Sequence, residues 1–234
     1  MVETTIRDEV LQVRIPNARW LVTGWSGGYH DSDVAYNVSV PEGWDRTDLG
    51  AYSRERREAA GFETDGPSLL TGVELRHAAG ARLDGVTAIA TVGLSNPASL
   101  PLDPDGTAPE GLVTAGDADI GTVNLLVGTS RSLEDGALAT LLAGVVEAKT
   151  ATLQQLSGFT GTTSDAVAVA TDRTGEPATF TGSATAVGDA ARSAVRAAVK
   201  ASFESRFAES EPPESVASAD TGIRSSRQAA LFEP

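Results

Sequence analysis

Gly158-Phe159-Thr160-Gly161-Thr162-Thr163-Ser164-Asp165 leads directly into Ala166-Val167-Ala168-Val169-Ala170. The second half alternates small and β-branched apolar residues, as a buried strand does, and the first half is a turn crowded with hydroxyls, two glycines and one carboxylate. A phosphate-binding loop leaves a strand and opens a helix, whereas this loop enters a strand, so a nucleotide cradle is disfavoured. What remains suits hydrogen-bonding a polar ligand or activating a nucleophile. The plainer alternative is a turn whose Thr and Ser side chains satisfy their own backbone.

Working back from that stretch, residues 128–131 open a helix that runs to about Leu156, with Ser132 and Asp135 spaced as a capping box. Glu147 and Lys149 lie near its end. The chain has only two lysines, Lys149 and Lys200, against 18 basic residues in all, so a lysine kept at 149 points to a place where a guanidinium would not serve. A cation favoured by the helix dipole is the other reading. Before this helix, residues 121–127 read as a strand in which Asn124 breaks an apolar run, so it either satisfies neighbouring backbone or faces a cavity. Residues 98–119 read as an acidic excursion with little structure of its own. Residues 86–92 form a strand that ends in Gly93-Leu94-Ser95-Asn96-Pro97 and carries polar groups to the sheet edge.

Nearer the N-terminus, residues 8–15, 20–25 and 34–40 read as three short strands, most simply an antiparallel meander. The Gly27-Gly28 loop sets Tyr29, His30 and Asp31 beyond a strand end, where recognition groups are common, although a lone loop histidine is too little for a metal site. Residues 47–60 predict a charged surface helix, and 68–82 a second one carrying Leu69, Leu70, Val73 and His77. On the C-terminal side, residues 177–181 add an edge strand. Residues 184–207 then form a core helix in which Val187, Ala191, Val195, Val199, Phe203 and Phe207 recur every fourth position. From residue 208 to 234 the composition reads as a disordered tail. The sum is a single α/β or α+β domain over residues 1–207, with helices packed on mixed sheets and an N-terminal antiparallel meander.

Composition narrows the function. A chain of 234 residues with net charge -14 offers no basic patch for nucleic acid, and it has no apolar run of bilayer length and no signal peptide. A cytoplasmic protein is expected, with no membrane partner and with room for assembly into a homo-oligomer. The absence of cysteine removes thiolate nucleophiles and Cys-based metal sites. Acidic excess with almost no lysine looks like adaptation to a salt-rich cytoplasm.

Several segments together resemble the adenosylcobinamide amidohydrolases of corrinoid salvage, in a version from a salt-loving archaeon. They are Leu70-Thr71-Gly72-Val73, Thr91-Val92-Gly93-Leu94-Ser95-Asn96, Gly121-Thr122-Val123-Asn124, Asp135-Gly136-Ala137-Leu138, Glu147-Ala148-Lys149-Thr150-Ala151 and Thr160-Gly161-Thr162-Thr163-Ser164-Asp165-Ala166, in the family's order over residues 10–201. One departure stands out. The family often has an Asn-His pair ahead of a Val-Pro, and here Asn37-Val38-Ser39-Val40-Pro41 has no His beside Asn37.

The resemblance implies hydrolysis of the amide joining aminopropanol to the corrin ring, a corrinoid as the small-molecule substrate, and neither a cofactor nor a metal. It implies Thr162 or Thr163 as nucleophile or water-positioner, Asp165 as its orienting carboxylate, Glu147 as base, and Lys149 as acid or oxyanion partner. Gly27, Gly28, His30, Asn37, Gly93, Ser95, Asn96, Asn124, Gly161 and Ser164 would shape the corrinoid groove. Competing readings are a corrinoid-binding module that does not cut, and a self-processing amidohydrolase that cleaves before Thr162.

Overall fold

The computed structural model describes residues 2–41, 43–107 and 123–233. Its first half carries β1 (Glu3–Arg7), β2 (Val10–Arg14), β3 (Ala18–Val22), β4 (Gly28–Asp31), β5 (Val34–Ser39) and α1 (Leu49–Ala59). Next come β6 (Ser68–Thr71), β7 (Ala79–Leu83), β8 (Val86–Val92) and β9 (Pro97–Ser99). The second half has β10 (Val123–Thr129), β11 (Ser132–Leu133), α2 (Asp135–Ser157), β12 (Gly161–Thr162), β13 (Ala166–Asp172), β14 (Pro177–Ala178), α3 (Ala186–Arg206) and β15 (Ile223–Arg224).

The alternation in β13 explains the layering. Val167 and Val169 join the core under α2 and α3, while Ala166, Ala168 and Ala170 turn to the opposite face and meet Leu11, Val13, Ile15 and Trp20. β13 lies inside a six-stranded sheet of order β4-β3-β13-β10-β8-β7, parallel to β10 and antiparallel to β3. On its small-residue face it packs against a four-stranded sheet of order β1-β2-β5-β6, whose outer face is closed by α1 through Tyr36, Val38, Tyr52 and Phe62. Small residues on β10 and β13 let the two sheets approach closely, and a Cβ on Gly128 would run into the Ile15 side chain. The result is helices, sheet, sheet, helix: a single α/β domain with mixed sheets.

Three local expectations change. The N-terminal strands are antiparallel but not one meander, because β2 pairs with β5 in the small sheet while β3 leaves for β4 and β13 in the large one. Residues 68–82 are not a helix. Leu69 and Leu70 point to opposite faces of β6, a strand buried on both sides, and a run this short carries no period that separates strand from helix. A 3-10 turn at Leu75–His77 and the edge strand β7 follow. α2 starts at Asp135 with Glu134 as its N-cap and no side-chain cap, since Ser132 is spent in β11. α2 is long and apolar enough to cross a membrane, yet it packs against α3 and β13.

Asn37 on β5 crosses between the sheets. Its Nδ2 donates to Thr91 Oγ1 at 3.0 Å, and its Oδ1 accepts from Asn124 Nδ2 at 2.8 Å, which also donates to the Leu70 carbonyl at 2.8 Å. Asn124 thus satisfies neighbouring backbone, the Leu70 carbonyl, as the first of its two sequence readings expects, and the Asn37 side chain besides. Asn37→Leu strands the Thr91 hydroxyl and one Asn124 donor, at a cost of about 2–4 kcal/mol. The thermal midpoint should fall by roughly 5–15 °C in calorimetry.

Candidate active site

The pairing register gathers one end of both sheets. β8 runs antiparallel to β10, so Val92 at its end sits beside Val123 at the start of β10, and β13 starts beside Asn124. The loop after β8 and the hydroxyl turn before β13 therefore meet. β9 and β12 pair across them, Thr162 opposite Pro97.

Asp165 is the centre of this meeting. Its Oδ1 accepts the Thr162 hydroxyl at 2.6 Å, the Thr162 N–H at 3.0 Å and the Val123 N–H at 3.1 Å. Its Oδ2 forms an ion pair with Lys149 Nζ, reaching in from α2. The two side chains are 7% and 14% exposed, so this pair is shielded from water, and loss of either partner leaves an uncompensated buried charge. Gly161 makes it fit: a Cβ there would stand 2.8 Å from Lys149 Nζ and collide with the Asp165 carboxylate. That crowding is the physical reason for a compact ammonium in an arginine-rich chain. A hydroxyl donating to a carboxylate, itself held by a cation, is the arrangement that activates a nucleophile.

Beside it, Asn96 holds the rest of the turn. Its Nδ2 donates to Thr163 Oγ1 at 2.6 Å and to Ser164 Oγ at 3.1 Å, and its carbonyl accepts the Thr163 N–H at 3.1 Å. Thr163 is exposed, and with its oxygen accepting from Asn96 its own proton is available for donation to a carbonyl or a water. Residues 93 and 95 line a cleft of about 810 Å³, walled also by Glu9, Trp44, Arg56 and Arg206. That volume lies in the range that accepts cofactor-sized molecules. His77 hydrogen-bonds Ser205 Oγ at 3.0 Å, and burial, aided by the Arg76 and Arg206 guanidiniums, pushes its pKa below the usual imidazole value.

Other expected site residues lie elsewhere. Glu147 is 64% exposed and pairs with Arg192 of α3 at 2.7 Å. Two residues along a helix is a turn of about 200°, so Glu147 and Lys149 cannot face the same carboxylate. Glu147 is therefore not placed to act as the base, and Glu147→Gln should leave kcat within about twofold of the unmodified enzyme in a steady-state assay. β4 is an edge strand of the large sheet, and His30 on it lines a separate hollow of about 700 Å³ against α1, its Nε2 2.9 Å from the Ser26 carbonyl. The adjoining Gly27 and Gly28 thus do not shape the cleft. Asn37 and Asn124 lie between the sheets, 1% and 0% exposed. Gly121 and Thr122 fall outside the described residues, as does most of the acidic excursion. Among the described residues no group of three or more His, Asp or Glu is arranged to hold a metal ion.

Sequence reading missed Glu9, Trp44, Arg56, Arg206 and Asp220 in the cleft wall. They come from a hairpin turn, a loop, two helices and the C-terminal segment, and only tertiary packing brings them together. No local pattern marks them.

The family model described as adenosylcobinamide amidohydrolase matches residues 2–211. A curated protein of Halobacterium salinarum named "Adenosylcobinamide amidohydrolase" is 52% identical over 237 residues, covering 100% of both chains.

Proposed function

The chain belongs to the adenosylcobinamide amidohydrolase family, and from that premise we propose that it hydrolyses the amide between the corrin propionyl arm and aminopropanol, giving adenosylcobyric acid and 1-amino-2-propanol. The observation that carries the reading is the Thr162–Asp165–Lys149 line in a turn tied by Asn96 and Thr163 to the loop whose residues 93–95 line a cleft of about 810 Å³. Neutral amides on that rim suit the hydroxyl and amide groups of Ser95, Asn96 and Thr163.

In this mechanism the Thr162 oxygen attacks the amide carbonyl carbon and its proton passes to Asp165 Oδ1. Thr163 donates its hydroxyl proton toward the oxyanion, and Lys149 offsets the charge on Asp165 in the steps where its carboxyl is ionised. The C–N bond breaks as the leaving nitrogen takes the proton from Asp165. Water then hydrolyses the threonyl ester with Asp165 again receiving a proton, releasing the acid and restoring the hydroxyl. Each role falls to a side chain of this protein, with no cofactor invoked. The acidic, lysine-poor surface and a relative in Halobacterium support work in a salt-rich archaeal cytoplasm.

The test is incubation with adenosylcobinamide in high potassium chloride, with mass analysis for free aminopropanol and the shortened corrinoid. Bound but uncut corrinoid would favour a binding module instead. An intact mass near 24.1 kDa, that of an unprocessed chain, is the expected result, and two fragments would overturn it.

A further inference from the structure

Among the described residues three carboxylates line the cleft, and two are already engaged. Glu9 Oε2 accepts the Leu75 N–H at 2.7 Å, and Glu74 pairs with Arg76 at 3.1 Å. Asp220 has no hydrogen-bond or ion-pair partner among the described residues and is exposed to the hollow. It comes from the C-terminal segment, beyond the end of the family match at residue 211.

That segment is fastened to the catalytic end of the fold rather than trailing from it. The Thr221 N–H donates to the Ser95 carbonyl at 3.2 Å, Ile223 pairs with Ala98 as β15 lies parallel to β9, and the Ser225 N–H donates to the Ser99 carbonyl at 2.9 Å. Arg224 adds an ion pair with Asp105 at 2.6 Å. Gly222 makes the approach possible. Its φ is +147°, and a Cβ there would lie 2.6 Å from the Pro97 carbonyl oxygen. The backbone bond from Thr221 therefore lands one residue before Asn96, whose amide holds Thr163. A free carboxylate is thus held in the cleft beside the Ser95 loop, which continues into Asn96 and through it to the turn that carries the reacting hydroxyls.

We propose that Asp220, positioned by Thr221 and Gly222, is the subsite for the amino-alcohol arm of the substrate. The inference rests on the amidohydrolase reading above. In the intact substrate the carboxylate accepts a hydrogen bond from the arm's hydroxyl. After cleavage it holds the released ammonium, because an aliphatic amine is protonated near neutral pH. A charge-assisted contact of this kind discriminates an ammonium from a neutral analogue of the same size.

The experiment compares full-length wild type, Asp220→Asn and Gly222→Val in steady-state turnover of adenosylcobinamide. Added 1-amino-2-propanol and, separately, 1,2-propanediol serve as inhibitors. Asp220→Asn should raise the inhibition constant for the amine by about tenfold or more, leave that for the diol nearly unchanged, and raise KM more than it lowers kcat. Gly222→Val, which lifts the segment off Pro97, should act in the same direction. If Gly222→Val fails to fold, Asp220→Asn alone decides. Unchanged amine inhibition, or an equal shift for the diol, overturns the subsite while leaving the amidohydrolase reading intact. Absence of aminopropanol release by the wild type overturns both.

Discussion

Asp165→Asn is expected to lower kcat by about 10³-fold. The asparagine is nearly isosteric and its Oδ1 can still accept the N–H groups of Thr162 and Val123, so the turn keeps its shape. What disappears is the proton acceptor for Thr162. In addition, an amide donor now faces the Lys149 ammonium, where a carboxylate oxygen stood. Lys149→Ala attacks the same pair from the other side. It leaves Asp165 in a shielded site without its cation, which should cost about 3–5 kcal/mol of stability as well as activity. A double variant separates the two effects. Lys149→Met with Asp165→Asn removes both charges and retains the backbone acceptor, so the thermal midpoint should recover most of the loss while turnover stays as low as in Asp165→Asn alone. If the double variant regained activity together with stability, the pair would be structural. Steady-state kinetics and calorimetry on the same samples give both readouts.

The sequence disclosed the parts of this pair but not its geometry. Lys149 drew notice because arginine has nearly displaced lysine, and Asp165 because it closes a hydroxyl turn before a strand whose period is unambiguous. Glu147 was taken with them by proximity along the chain, although helical geometry already places residues two apart on opposite sides. The strands β8, β10 and β13 and the helices α2 and α3 were legible for a similar reason: each repeats its pattern long enough to fix a buried face. Pairing was not legible. β2 and β3 look alike as isolated strands, and only the packing of Trp20 and Val13 between the sheets shows that they belong to different ones.

The least legible features are those in which local sequence carries the wrong signal. β1 and β2 are joined through Asp8 and Glu9, with φ of +45° and +58°, a two-residue turn built without the glycine that usually announces it. The C-terminal segment has the composition of a solvated tail, yet it adds β15 to β9 and reaches the cleft. In both places the backbone is held by distant partners, Arg56 donating to the Asp8 carbonyl in one case and Ser95 accepting from Thr221 in the other. Reading along the chain cannot supply those partners. The cleft is walled largely by such residues, which is why its wall was missed while the hydroxyl turn beside it was found.

The two threonines of that turn should separate cleanly under substitution. Thr162 donates its proton to Asp165, whereas Thr163 accepts from Asn96 and has its own proton available for a substrate oxygen. If Thr162 is the nucleophile, Thr162→Val removes the attacking oxygen and should reduce kcat by about 10³-fold or more, leaving only what positioning and the oxyanion donor provide. Thr162→Ser keeps the oxygen and its acceptor, so it should retain activity within roughly tenfold, the loss reflecting a less restricted side chain. Thr163→Val should cost about 10²-fold, the scale of one lost oxyanion donor, with KM little changed. A further signature belongs to Thr162 alone: rapid mixing with substrate should give a burst of aminopropanol ahead of the free corrinoid acid, and intact mass should show the corrinoid acyl group on the protein. The opposite ranking, with Thr163→Val abolishing turnover and Thr162→Val retaining it, would move the nucleophile to Thr163. Equal rates of release for both products with no covalent mass would instead assign the attack to water, with Thr162 serving only to orient Asp165.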